Sequence, residues 1–372
     1  MTPGPTPVPE PALLAMARAL RHHRTSEFRA VLQEVQEGIR YVLQTQNDVA
    51  LLSCSGTGAM EAAVANLVPR GGKAIVLESG KFSERWRVLC ETFGAEVVRY
   101  EVPWGEPFQP EVVASLLQQH PDTVAVFSTL LETSTGVGHD IEGLGRVVGP
   151  SKALFVVDGI SGAGAMECRT DDWQIDVLAV GGQKALMTPP GLSLLAISPA
   201  AWKQIEAIQR PVFYFDLLAY RKALAKSDTP YTPPISLVLA LAENLRLMRA
   251  EGIEAIWTRC GRLARATQAG VQALGLRLFA SRPAAAMTAV CLPAEISGDV
   301  FNRRLQERFG VKVAGGQGEA KGRIFRIAHM GLIDELDVLS TLAAIELVLV
   351  ELGQNVKLGS AVGAASEVLA GS

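Results

Sequence analysis

The sequence predicts an α/β fold: a large domain with a mostly parallel sheet sandwiched by helices, plus a smaller C-terminal α+β domain. Three observations predict it. From Val49 to Ile197 short apolar runs alternate with helix-patterned segments, as in a sheet covered on both faces. Beyond residue 250 the pattern changes to a long helix followed by scattered strands and a closing helix. A chain of 372 residues is also long enough to build two cores.

The elements follow in order. Residues 1–14 read as an extended arm, because Pro3, Pro5, Pro7 and Pro9 each fix φ and lack an N–H. Ala12–Leu20 and Phe28–Leu43 have helical spacing (Val31, Val35, Ile39 and Val42 in the second), and Thr25 or Ser26 is the expected N-cap. The large domain, 15–250, then runs strand Val49–Leu52, a small-residue loop, helix Met60–Leu67, strand Lys73–Glu78, helix Ser83–Thr92, strand Glu96–Val102 and helix Pro110–Gln119. Strand Thr123–Ser128, helix Ile141–Val148, strands Ala153–Asp158, Asp176–Val180 and Leu192–Ile197, helix Trp202–Gln209 and helix Ile235–Arg249 complete it. The small domain, 251–353, holds helix Ile253–Leu274, strands near Leu276–Phe279 and Met287–Leu292, helix Val300–Phe309, strand Arg323–Ala328 and helix Asp334–Leu352. Residues 354–372 are small and weakly patterned and are expected either to fray or to dock lightly.

Composition narrows the function classes. The chain is 48% apolar and 20% charged with a net charge of −3, so nucleic acid is not an expected partner. No apolar run is long enough to span a bilayer, and the proline-rich start does not read as a secretory signal. Cys54, Cys90, Cys168, Cys260 and Cys291 are scattered, which suggests reduced thiols in the cytoplasm. The five histidines lack metal-site spacing, so no metal is expected.

Two strand ends carry the chemistry. Val177–Val180 runs into Gly181-Gly182-Gln183-Lys184, a lysine among small and apolar neighbours, and Ala153–Val157 ends in Asp158. A lysine and a carboxylate at neighbouring strand ends suit a Schiff-base site for pyridoxal 5′-phosphate, the carboxylate facing the pyridine nitrogen. The other needs of that cofactor have candidates in the same order. Thr57, Gly58 and Ala59, opening the Met60 helix, offer N–H groups and a hydroxyl to the phosphate. Phe82 offers a flat face to the ring, Thr133 in Glu132-Thr133-Ser134-Thr135-Gly136 a hydroxyl to the ring oxygen, and Arg326 a cation to a substrate carboxylate. Taken singly, each is equally well a loop lysine, a turn cap, a tight strand–helix turn, a core phenylalanine or an edge-strand arginine. Their order along the chain is more specific than any one of them.

That order resembles the class V aminotransferases of pyridoxal-phosphate fold type I, in the alanine–glyoxylate and serine–pyruvate branch. The resemblance runs from Pro3-Gly4-Pro5 through Val35-Gln36-Glu37-Gly38-Ile39, Ser55-Gly56-Thr57-Gly58, Gln183-Lys184-Ala185 with Pro189-Pro190-Gly191, and Thr229–Pro234 to Arg323–Ile327. It implies Lys184 as the lysine that carries the cofactor, Asp158 as its charge partner, and Thr57, Gly58, Ala59 and Gln183 as phosphate-site positions. It further implies stacking by Phe82, a hydroxyl contact by Thr133, substrate binding by Gly4 and Arg326, and a homodimer in which Tyr231 and Thr232 reach the other subunit's phosphate. The activity it implies is ping-pong transfer of the amino group of alanine or serine to glyoxylate or pyruvate.

Related chemistries fit less well. Phosphoserine aminotransferases share a pair like His23-Arg24 but add an arginine in the glycine-rich phosphate-site loop, where this chain has Gly56-Thr57-Gly58-Ala59. Cysteine desulfurases place a histidine before the lysine, where Gln183 stands, and carry a cysteine late in the chain where Gly315–Gly318 has none. An aspartate-specific aminotransferase remains open, and a non-catalytic partner subunit is disfavoured by the joint presence of Lys184, Asp158 and Arg326.

Overall fold

The computed structural model describes residues 1–19, 22–209 and 211–371. Its elements are α1 (Glu10–Met16), α2 (Ser26–Leu43), β1 (Asp48–Leu52), α3 (Gly56–Leu67), β2 (Lys73–Glu78), α4 (Glu84–Thr92), β3 (Glu96–Glu101), α5 (Pro110–Gln119) and β4 (Thr123–Thr129). There follow β5 (Leu131–Glu132), β6 (Val137–Gly138), α6 (Ile141–Val148), β7 (Leu154–Asp158), β8 (Val177–Gly181), β9 (Ser193–Ile197), α7 (Pro199–Ala207), α8 (Leu217–Leu224) and α9 (Ile235–Glu251). The chain ends with α10 (Ile253–Ala273), β10 (Met287–Cys291), α11 (Gly298–Phe309), β11 (Ala314–Gly315), β12 (Ile324–Ala328), α12 (Glu335–Glu351) and α13 (Ser360–Ala370).

Seven strands form the main sheet in the order β1-β9-β8-β7-β4-β2-β3, and only β9 runs against its neighbours. The α/β fold with a mainly parallel sheet between helices is therefore the observed one. Alternation along each central strand sends side chains to two separate cores. In β7, Phe155 and Val157 join a core with residues of α2, α5, α6 and α9, while Leu154 and Val156 join one with residues of α3, α7 and α8. Leu178 and Val180 of β8 likewise oppose Val177 and Ala179. Burial on both faces is why these strands read as unbroken apolar runs. A second sheet, β10-β12-β11, packs with α11, α12 and α13 around a third core. Helix α10 joins two of the cores, through Ile256 and Trp257 near its start and Ala266 and Val271 near its end.

The structure differs from the sequence reading at several places. Helix α3 starts at Gly56, so the small-residue stretch before Met60 is its first turn and not a loop. Leu276–Phe279 forms no regular strand; Leu278 makes one isolated bridge to Val290. Between the expected helices Trp202–Gln209 and Ile235–Arg249 the chain forms a further helix, α8, capped by Asp216. Within residues 1–14 the helix α1 already begins at Glu10, and the predicted helix end at Leu20 lies outside the described residues. Thr25 rather than Ser26 caps α2 by accepting from Phe28 N.

Of the two expectations for 354–372, docking is the observed one. Helix α13 lies on α10 with Ala361 and Ala365 buried. A Cβ on Gly270 of α10 would stand 3.0 Å from Ala361 O, so the two backbones meet closely. The α13 N-terminus is capped from another element: the buried carboxylate of Glu346 on α12 accepts from Gly359 N at 2.7 Å and Ala361 N at 2.6 Å. Glu346→Ala leaves those two N–H groups without an acceptor and should cost about 1–3 kcal/mol. Denaturant unfolding measures it; an unchanged midpoint would mean the cap contributes nothing to docking.

Candidate active site

The site forms where parallel strands end. β7 ends at Asp158, whose neighbour in register on β8 is Ala179, so the two strands deliver Asp158 and the Gly181–Lys184 turn side by side. The turn is fixed by Gly182 N donating to Leu192 O and Thr188 N donating back to Gly182 O, each at 2.9 Å. The N-terminal arm lies along it. Thr6 N donates to Gln183 O at 3.1 Å, Thr6 Oγ1 donates to Lys184 O at 2.8 Å, and Lys184 Nζ donates to Pro3 O. Met1 O accepts from Ala328 N at 3.0 Å, tying the arm to the end of β12. Gly4, with φ of +104°, passes so close that an added Cβ would stand 2.7 Å from Lys184 Nζ.

Arg326 comes from β12, the central strand of the small sheet, and is buried rather than at an edge. Its Nε and Nη2 donate to Gly315 O at 2.9 and 2.7 Å, and its Nη1 donates to Thr133 O at 2.7 Å. Two backbone carbonyls thus hold the guanidinium while, among the described residues, no carboxylate pairs with it.

Burial shapes the charges. Desolvation pulls the Lys184 amine down to about 8, with Asp158 opposing the shift and Arg326 adding to it. Desolvation pushes Asp158 up to about 7; the Ile160 N–H, which donates at 2.8 Å, opposes this, Glu132 adds to it, and Arg85 and Lys184 oppose it. Arg326 is lowered to about 10, again by burial. A protonated ring nitrogen beside Asp158 is the cation that would restore its charged form. The Asp158 side chain accepts no other hydrogen bond among the described residues, which leaves room for that contact.

Phe82 sits in the turn after β2, and its placement depends on Glu132. That carboxylate is fully buried and accepts from Phe82 N at 3.2 Å, Ser83 N at 2.8 Å, Ser134 N at 3.0 Å and Ser134 Oγ at 2.6 Å. It joins the Phe82 turn to the β5–β6 hairpin that carries Thr133. The Thr133 hydroxyl makes no hydrogen bond among the described residues and is free for a ring oxygen. Glu132 lay inside a recognised motif, but only the fold shows it as the anchor.

The first turn of α3 leaves free different N–H donors from those the sequence reading expects for a phosphate. Gly58 N and Ala59 N both donate to Ser55 O, at 2.8 and 3.3 Å, so they are not available to a ligand. The free donors of the first turn are Gly56 N and Thr57 N, because α3 begins four residues before Met60 and no side chain caps it. Gln183 Oε1 is buried and meets no donor among the described residues, so only the NH2 group of this amide could serve a phosphate. Arg85, which the sequence reading did not single out, donates from Nη1 to Thr57 Oγ1 at 2.9 Å. Tyr231 and Thr232 are not brought to this cluster: the Tyr231 hydroxyl donates to Phe213 O at 2.7 Å, and Thr232 is exposed. Taken together, the residues present fit pyridoxal phosphate.

Known proteins match this chain along nearly all of its length. Residues 6–331 match the family model described as Aminotransferase class-V. A protein of Synechococcus sp. (strain PCC 6716) named soluble hydrogenase, small subunit, is 42% identical over 99% of this chain and 97% of its own. The L-aspartate–glyoxylate aminotransferase of Paracoccus denitrificans is 34% identical, covering 98% and 94%. The serine–glyoxylate aminotransferase of Hyphomicrobium methylovorum is 33% identical, covering 98% and 93%. The crystal structure of ureidoglycine–glyoxylate aminotransferase from Bacillus subtilis superposes with a TM-score of 0.95 at 29% identity, covering 100% of this chain and 97% of that one.

The lowered Lys184 amine gives a pH test. Only the neutral amine attacks an aldehyde, and near pH 8 about half of Lys184 is neutral, against roughly 0.4% for a solvated lysine. The rate of pyridoxal phosphate uptake by the apoprotein, followed by stopped-flow absorbance, should therefore rise through pH 8 and level off by about pH 9. A rate that climbs roughly tenfold between pH 8 and pH 9 would show an ordinary amine.

Proposed function

As the chain belongs to the class V aminotransferases, and so is a pyridoxal-phosphate-dependent transaminase, we propose that it moves the amino group of a small amino acid, alanine or serine, to glyoxylate or pyruvate by a ping-pong route. The observation that carries this reading is the convergence of Lys184 and Asp158, from neighbouring strand ends of the large sheet, with Arg326, from the middle of β12 in the small one. Pyridoxal phosphate, when bound, supplies the carbonyl that accepts the amino group and the electron sink that acidifies the substrate Cα–H.

The residues take the remaining tasks. Lys184 Nζ would hold the cofactor and, once displaced by the amino donor, would take the proton from substrate Cα as general base and pass it to the cofactor's C4′ on the same face. Its burial keeps the amine close to neutrality at working pH. Asp158 holds a proton on the pyridine nitrogen, Phe82 orients the ring, and Thr133 offers its hydroxyl to the ring oxygen. Gly56 N and Thr57 N, with the Gln183 amide, take the phosphate. Arg326, already aligned by Gly315 O and Thr133 O, takes the substrate α-carboxylate with its remaining N–H groups. The arm at Pro3 and Gly4 shields the amine from water and limits the space above it, which favours small substrates.

A homodimer with sites at the interface completes the proposal. Phe213 is 82% and Tyr214 40% exposed beside Tyr231. A cavity of 330 Å³ lined by Gln36, Arg40, Tyr220 and Thr229 opens next to the connector bearing Tyr231 and Thr232. A second copy covering this face would bury the aromatics and present Tyr231 and Thr232 to the other subunit's phosphate. The five unbridged cysteines suit a cytoplasmic setting.

Half-reactions test the substrates. The visible band of the bound cofactor should bleach with alanine or serine and return with glyoxylate or pyruvate. Bleaching by aspartate alone would overturn the small-donor reading in favour of the activity named for the Paracoccus relative. Lys184→Ala should lower turnover by at least about 10⁴-fold while the protein still holds the cofactor noncovalently. Arg326→Gln should raise KM for the donor by about 10- to 100-fold, since a charge-assisted pair is lost. An unchanged KM would remove Arg326 from the substrate site.

A further inference from the structure

We propose that Arg85 is the cation that neutralises the cofactor's phosphate, completing a cradle whose other donors are uncharged. The proposal rests on the reading of the α3 N-terminus as the phosphate site. Arg85 Nη1 donates to Thr57 Oγ1 at 2.9 Å, which sets the guanidinium at the first turn of α3. The N-terminal end of a helix carries roughly half a positive charge, so a guanidinium there is repelled unless an anion lies between them.

The surrounding cations make the contrast. Lys81 pairs with Glu84, Arg87 with Glu78, Glu84 and Glu91, and Arg99 with Glu78 and Glu101. Among the described residues Arg85 has no carboxylate within ion-pair distance, although it belongs to the same helix. The carboxylate it influences is Asp158, through space and inside the site.

Charge balance then requires a cation. A phosphate ester carries about −1.5 to −2 near neutral pH. Gly56 N, Thr57 N, the Thr57 hydroxyl and the Gln183 amide are neutral donors, and the helix end offsets only about half a charge. Arg85 supplies most of the rest through charge-assisted hydrogen bonds. It also lies 5.3 Å from the centroid of the Phe82 ring, three residues earlier. The turn that leads into α4 and the first turn of that helix therefore carry the ring-stacking face and the phosphate cation side by side. The helix itself is pinned by buried Trp86, whose Nε1 donates to Ser128 O at 3.0 Å.

The experiment compares the apoprotein's affinity for pyridoxal 5′-phosphate and for pyridoxal, by absorbance or tryptophan-fluorescence titration, in wild type, Arg85→Gln and Arg85→Lys. Wild type should prefer the phosphorylated form strongly. Arg85→Gln should weaken binding of pyridoxal phosphate by about 10- to 100-fold and leave pyridoxal within about twofold. Arg85→Lys, which keeps the charge, should recover part of the loss. Equal weakening of both ligands, or pyridoxal phosphate bound within twofold of wild type, would overturn the proposal. A wild type that does not distinguish the two ligands would instead remove the phosphate site at α3, and the assignment with it.

Discussion

Glu132 is the constraint on which the site depends. Its carboxylate is completely buried and forms no ion pair among the described residues, which would be costly for a charge left without partners. Three backbone N–H groups and one hydroxyl supply the partners, from Phe82, Ser83 and Ser134. Because those donors belong to two separate segments, the carboxylate fixes the Phe82 turn relative to the hairpin carrying Thr133. Through Thr133 O it also fixes the Arg326 guanidinium, which comes from the other sheet. Close approach is built in: a Cβ on Gly80 would stand 2.7 Å from Glu132 Cδ, so only glycine leaves room there.

The same burial that makes Glu132 costly makes the three functional charges responsive. Lys184, Asp158 and Arg326 are each moved toward neutrality chiefly by desolvation, and each is then pulled or pushed by the others or by Glu132. In water such groups would be far from their titration range at neutral pH. Here the lysine and aspartate are brought close to it, so binding a charged ring or a carboxylate substrate shifts protons as well as contacts. An amine intended as nucleophile and base needs this, since a fully protonated lysine can be neither.

The sequence revealed those parts of the site that depend on local pattern. Strands buried on both faces are visible as apolar runs, and Asp158 and Lys184 stand out because a strand visibly ends just before each. What escaped it depends on partners distant in the chain. Glu132 reads as one more polar residue of a turn until the fold packs Phe82 and Ser134 around it, and Arg85 reads as one of the two arginines of α4 until Arg87 and the nearby cations are seen to be paired. Which N–H groups are free at the start of α3 was not legible, because Gly56-Thr57-Gly58-Ala59 has loop-like composition, whereas tertiary packing of α3 makes it the first helical turn. Helix α13 was missed for a related reason: its contact stripe is alanine, and its cap comes from Glu346 on another helix.

The arm shows how a segment without regular structure can be integral to a site. Its prolines restrict the unfolded chain, so laying it down costs less entropy than an ordinary coil of the same length. Two Thr6 bonds to the Gln183–Lys184 backbone and the Met1–Ala328 bond fasten it at both ends, to the large sheet and to the small one. Pro3 O then accepts from the lysine amine, giving that buried ammonium a partner when nothing else occupies the site. Carbon–nitrogen bond formation at Nζ removes donors from that contact, so the same carbonyl becomes free whenever the lysine is engaged. The arm is thereby coupled to the state of Lys184 through a backbone carbonyl. A residue larger than glycine at position 4 would break the coupling by steric contact with the lysine side chain before it touched any substrate.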